Sequence, residues 1–271
     1  MTDQAQLFTN ARLIDPEAGT ETAGQILVER GQITEILPPQ AQIDPARLGP
    51  DAVIDCGGQA LAPGLVDIGV KVGEPGERHK ESLRTAGLAA AAGGVTTMVT
   101  RADTSPAIDT PEVLEFLARR ATEATPVQVA PMAALTKSRE GREMTEIGFL
   151  LDAGAVAFSD GDKVVANTKV YSRALTYARS LGALVVGHIQ EPGLSNGAAV
   201  TSGKFASLRG LPGVSPMAER LGLERDLALV EMTGARYHAD QVTTRAALPA
   251  LVRAREAGLD FIRLVTPTSD A

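Results

Sequence analysis

The sequence of 271 residues contains no tryptophan, one cysteine (Cys56) and only three histidines. A single cysteine excludes both an internal disulfide and a zinc site built from several thiolates. The longest apolar stretches, such as residues 181–186, are too short to span a bilayer. Residues 1–10 lack the basic segment and apolar run of a signal peptide. We therefore expect a cytoplasmic protein that does not enter membranes.

Positive charge is also scarce. The chain has 26 basic and 33 acidic side chains, giving a formal net charge of -7. Because no basic stripe could neutralise a phosphate backbone, nucleic-acid binding is not expected. The hydrophobic content of 44% is enough for one sizeable core or for a barrel with a small appendage.

The pattern of the sequence changes at about Leu61. Residues 1–60 contain short β segments separated by turn-forming residues, which predicts a small N-terminal β-sandwich module. From residue 61 to 271, short apolar runs alternate with amphipathic helical windows, as in repeated βα units with a parallel sheet. The predicted strands are 64–70, 96–100, 127–132, 155–159, 183–188, 235–240 and 261–265. The predicted helices are 81–94, 111–124, 143–154, 169–182, 216–234 and 245–258.

Seven strands with this spacing predict an α/β fold, a TIM-like (β/α) barrel. An eight-stranded barrel needs one more strand, and a β module of this size would gain from strands added by a C-terminal return. We expect both the eighth strand and that return to be absent from this chain. In such barrels the functional residues lie at the carboxyl ends of the strands, because the βα loops build the site.

The first barrel strand keeps a Pro63-Gly64 start, Asp67 and a Glu74-Pro75-Gly76 end. This segment resembles the opening barrel strand of dihydroorotases and allied cyclic amidohydrolases, whose pattern is P-G-x-x-D-x-H-x-H-x-R-E-P-G. Alternate residues of a strand share a face, so H-x-H directs both imidazoles into the barrel mouth. The resemblance implies that Gly69 and Lys71 stand where this family has metal-binding histidines. Gly73 stands where it has the arginine that holds the substrate carboxylate.

Further segments resemble the same family along nearly the whole chain, about residues 5–268. Residues 87–106, 154–178, 187–198 and 208–244 are similar to its motifs at the second, fourth, fifth and sixth strands. Some family residues are kept: Asp160 matches an acid of the fourth strand, His188 the histidine of the fifth strand, and His238 the first histidine of H-x-x-H. Others are replaced: Asp103 stands for a substrate-contacting asparagine, and Gln190 and Glu191 stand for an acidic pair. Gln241 stands for the second, metal-binding histidine of H-x-x-H, and Thr268 and Ser269 stand for a histidine pair.

The resemblance implies a binuclear zinc site built from about four histidines and several carboxylates. Only His188 and Asp160 remain at ligand positions, and two ligands do not make a zinc site. We therefore expect no metal and no other cofactor. We also expect Lys71 to take the place of the metal and to form an ion pair with Asp160.

Simpler interpretations stay open for several of these residues. His79 lies in a charged stretch, which favours a solvated surface histidine. His188 is also explained as a hydrogen-bonded interior side chain, His238 as a structural one, and residues 160–162 as a turn. The site predicted from sequence is therefore a vestigial one, formed by Lys71, Asp103, Asp160, His188, Gln190 and His238.

Three functions are compatible with this pattern. The first is a non-catalytic relative of dihydroorotase that supports the catalytic subunit of aspartate transcarbamoylase in pyrimidine synthesis, or that associates with itself. The second is an active cyclic amidohydrolase, with zinc or without it, in which Asp103, Asp160, Glu191 and His188 supply an acid and a base. The third is a module that binds a pyrimidine intermediate without converting it. No phosphate-binding loop and no GxSxG motif is present.

Overall fold

The structure, a computed structural model, describes residues 5–49, 51–259 and 261–265, the last five by their backbone alone. The predicted substitutions at Thr268 and Ser269 lie outside the described residues. The chain divides into two compact units, Met1–Leu65 and Val66–Ala271. No helix in the described part is long and apolar enough to cross a membrane.

The first unit is a mixed five-stranded sheet. Its strands are β1 (Gln6–Asp15), β2 (Thr20–Glu29), β3 (Gln32–Leu37), β4 (Val53–Asp55) and β5 (Ala60–Leu61). The order is β3-β2-β1-β4, and β5 pairs with β1 as well. Arg30 and Gly31 join β2 to β3 with φ of 52° and 75°, the conformation that two-residue hairpin turns require. Leu7 and Leu27 form the centre of the small core.

The second unit is built on a parallel sheet. Its strands are β6 (Leu65–Val70), β7 (Val95–Thr100), β8 (Gln128–Ala133), β9 (Ala157–Phe158), β10 (Leu184–His188), β11 (Val200–Thr201), β12 (Gly213–Val214), β13 (Arg236–Val242) and β14 (Phe261–Val265). Seven of them form one sheet in the order β14-β13-β10-β9-β8-β7-β6, while β11 and β12 pair with each other. This sheet curls into part of a barrel, so the predicted barrel class is confirmed.

Eight helices lie between these strands in the described residues. They are α1 (Leu83–Ala92), α2 (Pro111–Ala124), α3 (Ile147–Asp152), α4 (Thr168–Ser180), α5 (Pro192–Ser195), α6 (Lys204–Arg209), α7 (Pro216–Thr233) and α8 (Leu248–Glu256). In α2, Leu114, Leu117 and Ala121 are buried at helical spacing, which places one apolar face against the sheet. The six predicted helices are present, whereas α5, α6, β11 and β12 between residues 189 and 215 were not predicted.

The apolar side chains of the second unit occupy two layers. The larger core lies between the sheet and the helices and includes Phe158 and Leu114. A smaller cluster of Met132, Ala157 and Val186 forms separately. Ala157 and Phe158 are consecutive in β9, so their side chains point to opposite faces of the sheet. The smaller cluster is therefore the inner face, and the charged residues described next lie beyond its carboxyl end.

Candidate functional site

Lys71, the residue after β6, forms an ion pair with Asp103, which follows β7. The Lys71 Nζ lies 2.9 Å from Asp103 Oδ2, and the two side chains are 57% and 2% exposed. The hydrogen bond and the charge of Asp103 raise the pKa of Lys71. Two of the predicted site residues are thus brought together. The predicted ion pair of Lys71 with Asp160 is wrong, because Asp103 takes that role.

Asp160 is unavailable to Lys71 because both of its oxygens serve the loop after β8. Oδ1 accepts the backbone N–H of Leu135 at 3.0 Å and of Thr136 at 2.9 Å. Oδ2 accepts the Thr136 hydroxyl. Burial raises the pKa of this carboxyl, although the three hydrogen bonds oppose the rise. Asp160 therefore anchors a loop in this structure.

A second ion pair, not predicted from the sequence, joins β7 to β13. Arg101 Nη2 lies 2.7 Å from Asp240 Oδ2, with the two side chains 11% and 6% exposed. A Cβ built on Gly69 would lie 3.2 Å from Arg101 Nε and 3.3 Å from Nη2. The guanidinium thus occupies the space that a side chain at position 69 would fill. The sequence did carry a signal for this pair. Arg101 follows one apolar run, Asp240 ends another, and Gly69 lacks the side chain that the family has at that position.

The direction of the β13 side chains follows from Tyr237. Its hydroxyl donates to Asp226 of α7 at 2.6 Å, so Tyr237 faces the helices. His238 then points to the inner face, and Asp240 joins it there through its contact with Arg101. Gln241, at the position of the lost histidine, has a φ of 55°, and the pairing with β14 shifts register between Ala239 and Val242. A bulge of this kind redirects side chains at the end of a strand.

His188, which is half-buried, and His238, which is buried, lie in surroundings that favour the neutral imidazole. Burial lowers the pKa of His188 and of His238, while the charge of Asp240 opposes the shift in both. His188 Nδ1 and His238 Nε2 are buried and have no hydrogen-bond partner in the described part of the chain. These observations concern one nitrogen atom of each ring, so the interpretation of the two histidines as interior side chains stays open.

The family position of the substrate-binding arginine is closed to any side chain. A Cβ on Gly73 would lie 2.4 Å from the carbonyl oxygen of Glu77. Glu74, next to it, accepts the backbone N–H of Leu83 at 3.1 Å and pairs with Arg120 at 3.0 Å. The loop after β6 thus leaves no room for a side chain at position 73, and the buried Glu74 holds this loop to α1 and α2.

A cavity of about 560 Å³ opens beside these strand ends, lined by Arg139, Lys163, His188, Gln190 and other residues. Arg139 is already engaged with the Asp160 carbonyl and with Asp162. Lys163 has no ion-pair partner among the described residues. The remaining predicted acid, Glu191, accepts the N–H of Leu194 at 2.7 Å and caps α5. His79 is exposed, as predicted.

These residues do not fit the zinc centre that the resemblance implies. No group of three or more histidine, cysteine, aspartate or glutamate side chains is placed to hold a metal ion within the residues that the structure describes. The two carboxylates nearest the lost ligand positions, Asp103 and Asp240, each pair with a fixed cationic side chain. The site therefore contains two ion pairs, Lys71–Asp103 and Arg101–Asp240, and two imidazoles, His188 and His238, whose neutral form is favoured by burial.

Comparisons with known proteins agree with the motifs. The family model described as dihydro-orotase-like matches residues 58–247. A dihydroorotase of Syntrophobacter fumaroxidans is 38% identical over 261 residues, which are 96% of this chain and 59% of that protein. A dihydroorotase-like protein of Pseudomonas putida is 39% identical over 249 residues, 92% of this chain and 58% of that protein. The chain thus spans about three fifths of the length of these relatives.

Among solved structures, the L-hydantoinase (dihydropyrimidinase) of Arthrobacter aurescens matches 95% of this chain and 57% of its own, with a TM-score of 0.76. At 20% identity this likeness concerns the fold alone. The family model covers most of the chain, and its range includes the strand ends from β6 to β13. The chain belongs to the dihydroorotase-like family.

Proposed function

We propose that this chain is a non-catalytic member of the dihydroorotase-like family. The observation that carries the proposal is the donor set at the strand ends, where Gly69, Lys71 and Gln241 replace three ligand histidines. A hydrolytic zinc site activates its water because the metal lowers the water's pKa to about 7. Two scattered imidazoles and two paired carboxylates supply neither the ligands nor the open coordination position for that chemistry.

The role that fits such a chain is support of a partner enzyme, the catalytic subunit of aspartate transcarbamoylase in pyrimidine synthesis. The substitutions remove metal ligands while the glycines and prolines that shape the loops are kept. This combination supports a function that depends on the fold and its surface.

Two measurements test the proposal. Purified chain with stoichiometric zinc is expected to hydrolyse dihydroorotate no faster than buffer with zinc. It is also expected to co-purify with the aspartate transcarbamoylase catalytic subunit at a defined ratio. Turnover at an ordinary enzymatic rate, about 1–10³ s⁻¹, would refute the non-catalytic role. Failure to co-purify would refute the partnership alone.

The second candidate is hydrolysis of a cyclic amide, and the names of the relatives favour it. Asp160 and Glu191 hold backbone N–H groups in this chain, which leaves His188 as the best placed base. If the chain is such an enzyme, His188→Gln will lower kcat by about 10²-fold or more, the usual contribution of a general base. The exposed His79→Gln serves as the matched control and should leave kcat unchanged.

The third candidate, binding without turnover, is favoured by the cavity beside Lys163. Carbamoyl aspartate or dihydroorotate would place a carboxylate near that ammonium group. A thermal-shift titration with both compounds tests this candidate. Lys163→Met should abolish a genuine shift, and Lys169→Met, on the exposed side of α4, should preserve it. No shift with either compound would exclude the candidate.

A further inference from the structure

The guanidinium of Arg101 lies at the position where the family's first metal-binding side chain would begin. It is 3.2–3.3 Å from a Cβ built on Gly69, and Gly69 has a φ of 95°, a conformation that disfavours any other residue. Arg101 is almost fully buried and is held by Asp240 at 2.7 Å. The space beside Gly69, its positive φ and the Arg101–Asp240 ion pair all fit a strand end without a side chain at position 69.

We propose that the Arg101–Asp240 ion pair is the built-in replacement for the metal centre of this chain and the feature that keeps metal out. The proposal rests on the non-catalytic function proposed above and identifies the residues responsible for it. The cation that balances the inner carboxylate is a side chain of the residue that follows β7, and it cannot be exchanged with solvent.

The charges support this assignment over one that involves Lys71. An arginine stays protonated at all pH values a protein experiences, so its positive charge is permanent. Lys71 is more than half exposed and is paired with a different acid, Asp103. The buried pair is therefore the one that a divalent cation would have to displace. Such a cation would meet a guanidinium in contact with the same carboxylate.

Restoring the lost ligands separates this proposal from simple loss of histidines. The variant Lys71→His/Gln241→His regains two imidazoles while Arg101 remains. We expect it to bind no more zinc than the parent, measured by calorimetry and by metal content after desalting. Adding Arg101→Met should produce stoichiometric zinc binding, with an affinity at least tenfold higher. Gly69 is left unchanged because its backbone conformation disfavours a side chain.

The matched control adds Arg84→Met, on the exposed side of α1, in place of Arg101→Met. It should leave zinc binding at the level of the parent. Equal zinc binding with Arg101 present would overturn the proposal. So would a failure to gain zinc binding once Arg101 is removed, because some other feature would then exclude the metal.

A thermodynamic cycle tests the ion pair in variants that need no metal. Arg101→Met and Asp240→Asn should each lower the Tm, since each leaves a buried partner without its counterpart. The double variant should lose clearly less than the sum of the two, and additive losses would overturn the proposal. If the parent itself takes up zinc and turns over dihydroorotate, the proposed function fails as well. An inert parent whose Arg101→Met variants gain nothing defeats only the present inference.

Discussion

At the scale of single residues, three buried acids hold neighbouring loops or a helix start by hydrogen bonds. Glu74, Asp160 and Glu219 are all buried, and each accepts backbone N–H groups of a neighbouring loop or helix start. A carboxylate that accepts several backbone hydrogen bonds holds its loop firmly. These three acids are therefore accounted for by the segments they hold.

Glu219 offers the clearest test of this role. Its carboxylate accepts the backbone N–H and the hydroxyl of both Thr243 and Thr244, at 2.5–3.1 Å. In Glu219→Gln an amide NH₂ would face donors, so we expect a loss of about 1–3 kcal/mol in the free energy of unfolding. Urea denaturation measures it. Glu231→Gln, at an exposed position of the same helix, should change stability little.

The lowered pKa values of His188 and His238 lead us to expect that the stability of the fold depends on pH. Burial depresses the pKa of His188 and His238 in the folded state, so the unfolded chain binds more protons below about pH 6.5. Their contribution to stability is thus present above that pH and is lost as the pH falls. Urea midpoints measured from pH 7.5 to 5.5 should fall less in His188→Gln/His238→Gln than in the parent.

The exposed His79→Gln is the control and should follow the parent over the same pH range. The raised pKa values of Asp160 and Asp226 act in the opposite direction, since their contribution is lost as the pH rises. These two acids are present in every variant of the series, so they cancel in the difference. Identical slopes for the parent and the double variant would contradict the prediction.

At the scale of helices and strands, a very close contact lies where β10 passes Tyr171 of α4 and Tyr237 of β13. A Cβ on Gly187 would meet the Tyr237 hydroxyl at 2.3 Å and the Tyr171 hydroxyl at 2.6 Å. Both tyrosines are buried, and Tyr237 is held by Asp226. Gly187→Ala should therefore destabilise the fold by about 1–3 kcal/mol, as overpacking does.

Thermal and urea unfolding measure the loss, with Gly93→Ala as the control. A Cβ at Gly93, just after α1, would make only ordinary contacts at 3.5 Å and beyond, and its φ is negative. The control variant should be as stable as the parent. A Gly187→Ala variant of unchanged stability would mean that the tyrosines can move aside.

The elements themselves were largely predictable because each βα unit carries a strong local pattern. The window 111–124 coincides with α2, where Pro111 begins the helix and apolar residues recur at helical spacing. The segment 189–215 was not predicted because α5, α6, β11 and β12 are at most six residues long and no amphipathic window or apolar run of greater length surrounds them. Elements that short leave too little periodicity for a sequence pattern to indicate.

The sequence predicted which family side chains are missing from the site, but not which of the remaining side chains contact each other. Motif positions identified Gly69, Lys71 and Gln241, but no sequence pattern states which charges meet in space. Asp103 was predicted as a site residue, and its pairing with Lys71 depends on the two strand ends being neighbours. The contact of Arg101 with Asp240 was not predicted because it joins the end of β7 to β13, two strands that are far apart in the chain.

At the scale of the whole molecule, β6 forms one end of the barrel sheet in the described residues. Val66 and Ile68 on this strand are exposed. Apolar side chains on an end strand favour pairing with another chain. We therefore expect self-association that grows with protein concentration, measured by light scattering after size exclusion.

The variant Val66→Thr/Ile68→Thr should shift that association toward the monomer while keeping strand propensity. Phe149→Gln, which removes an exposed apolar side chain from α3, is the control and should leave the association unchanged. A parent chain that stays monomeric at every concentration would contradict the prediction. An equal effect of the control would point to general stickiness instead.

The ion pair of Arg101 and Asp240 also has a consequence for the order in which the molecule folds. The two residues are 139 positions apart in the chain, with three of the seven strands of the barrel sheet, β8, β9 and β10, between them. Contacts between chain neighbours close small loops and form early, whereas a contact over this separation must wait for the intervening units. We therefore expect the Arg101–Asp240 contact to form late, and a chain emerging from the ribosome holds Arg101 without Asp240 until β13 arrives.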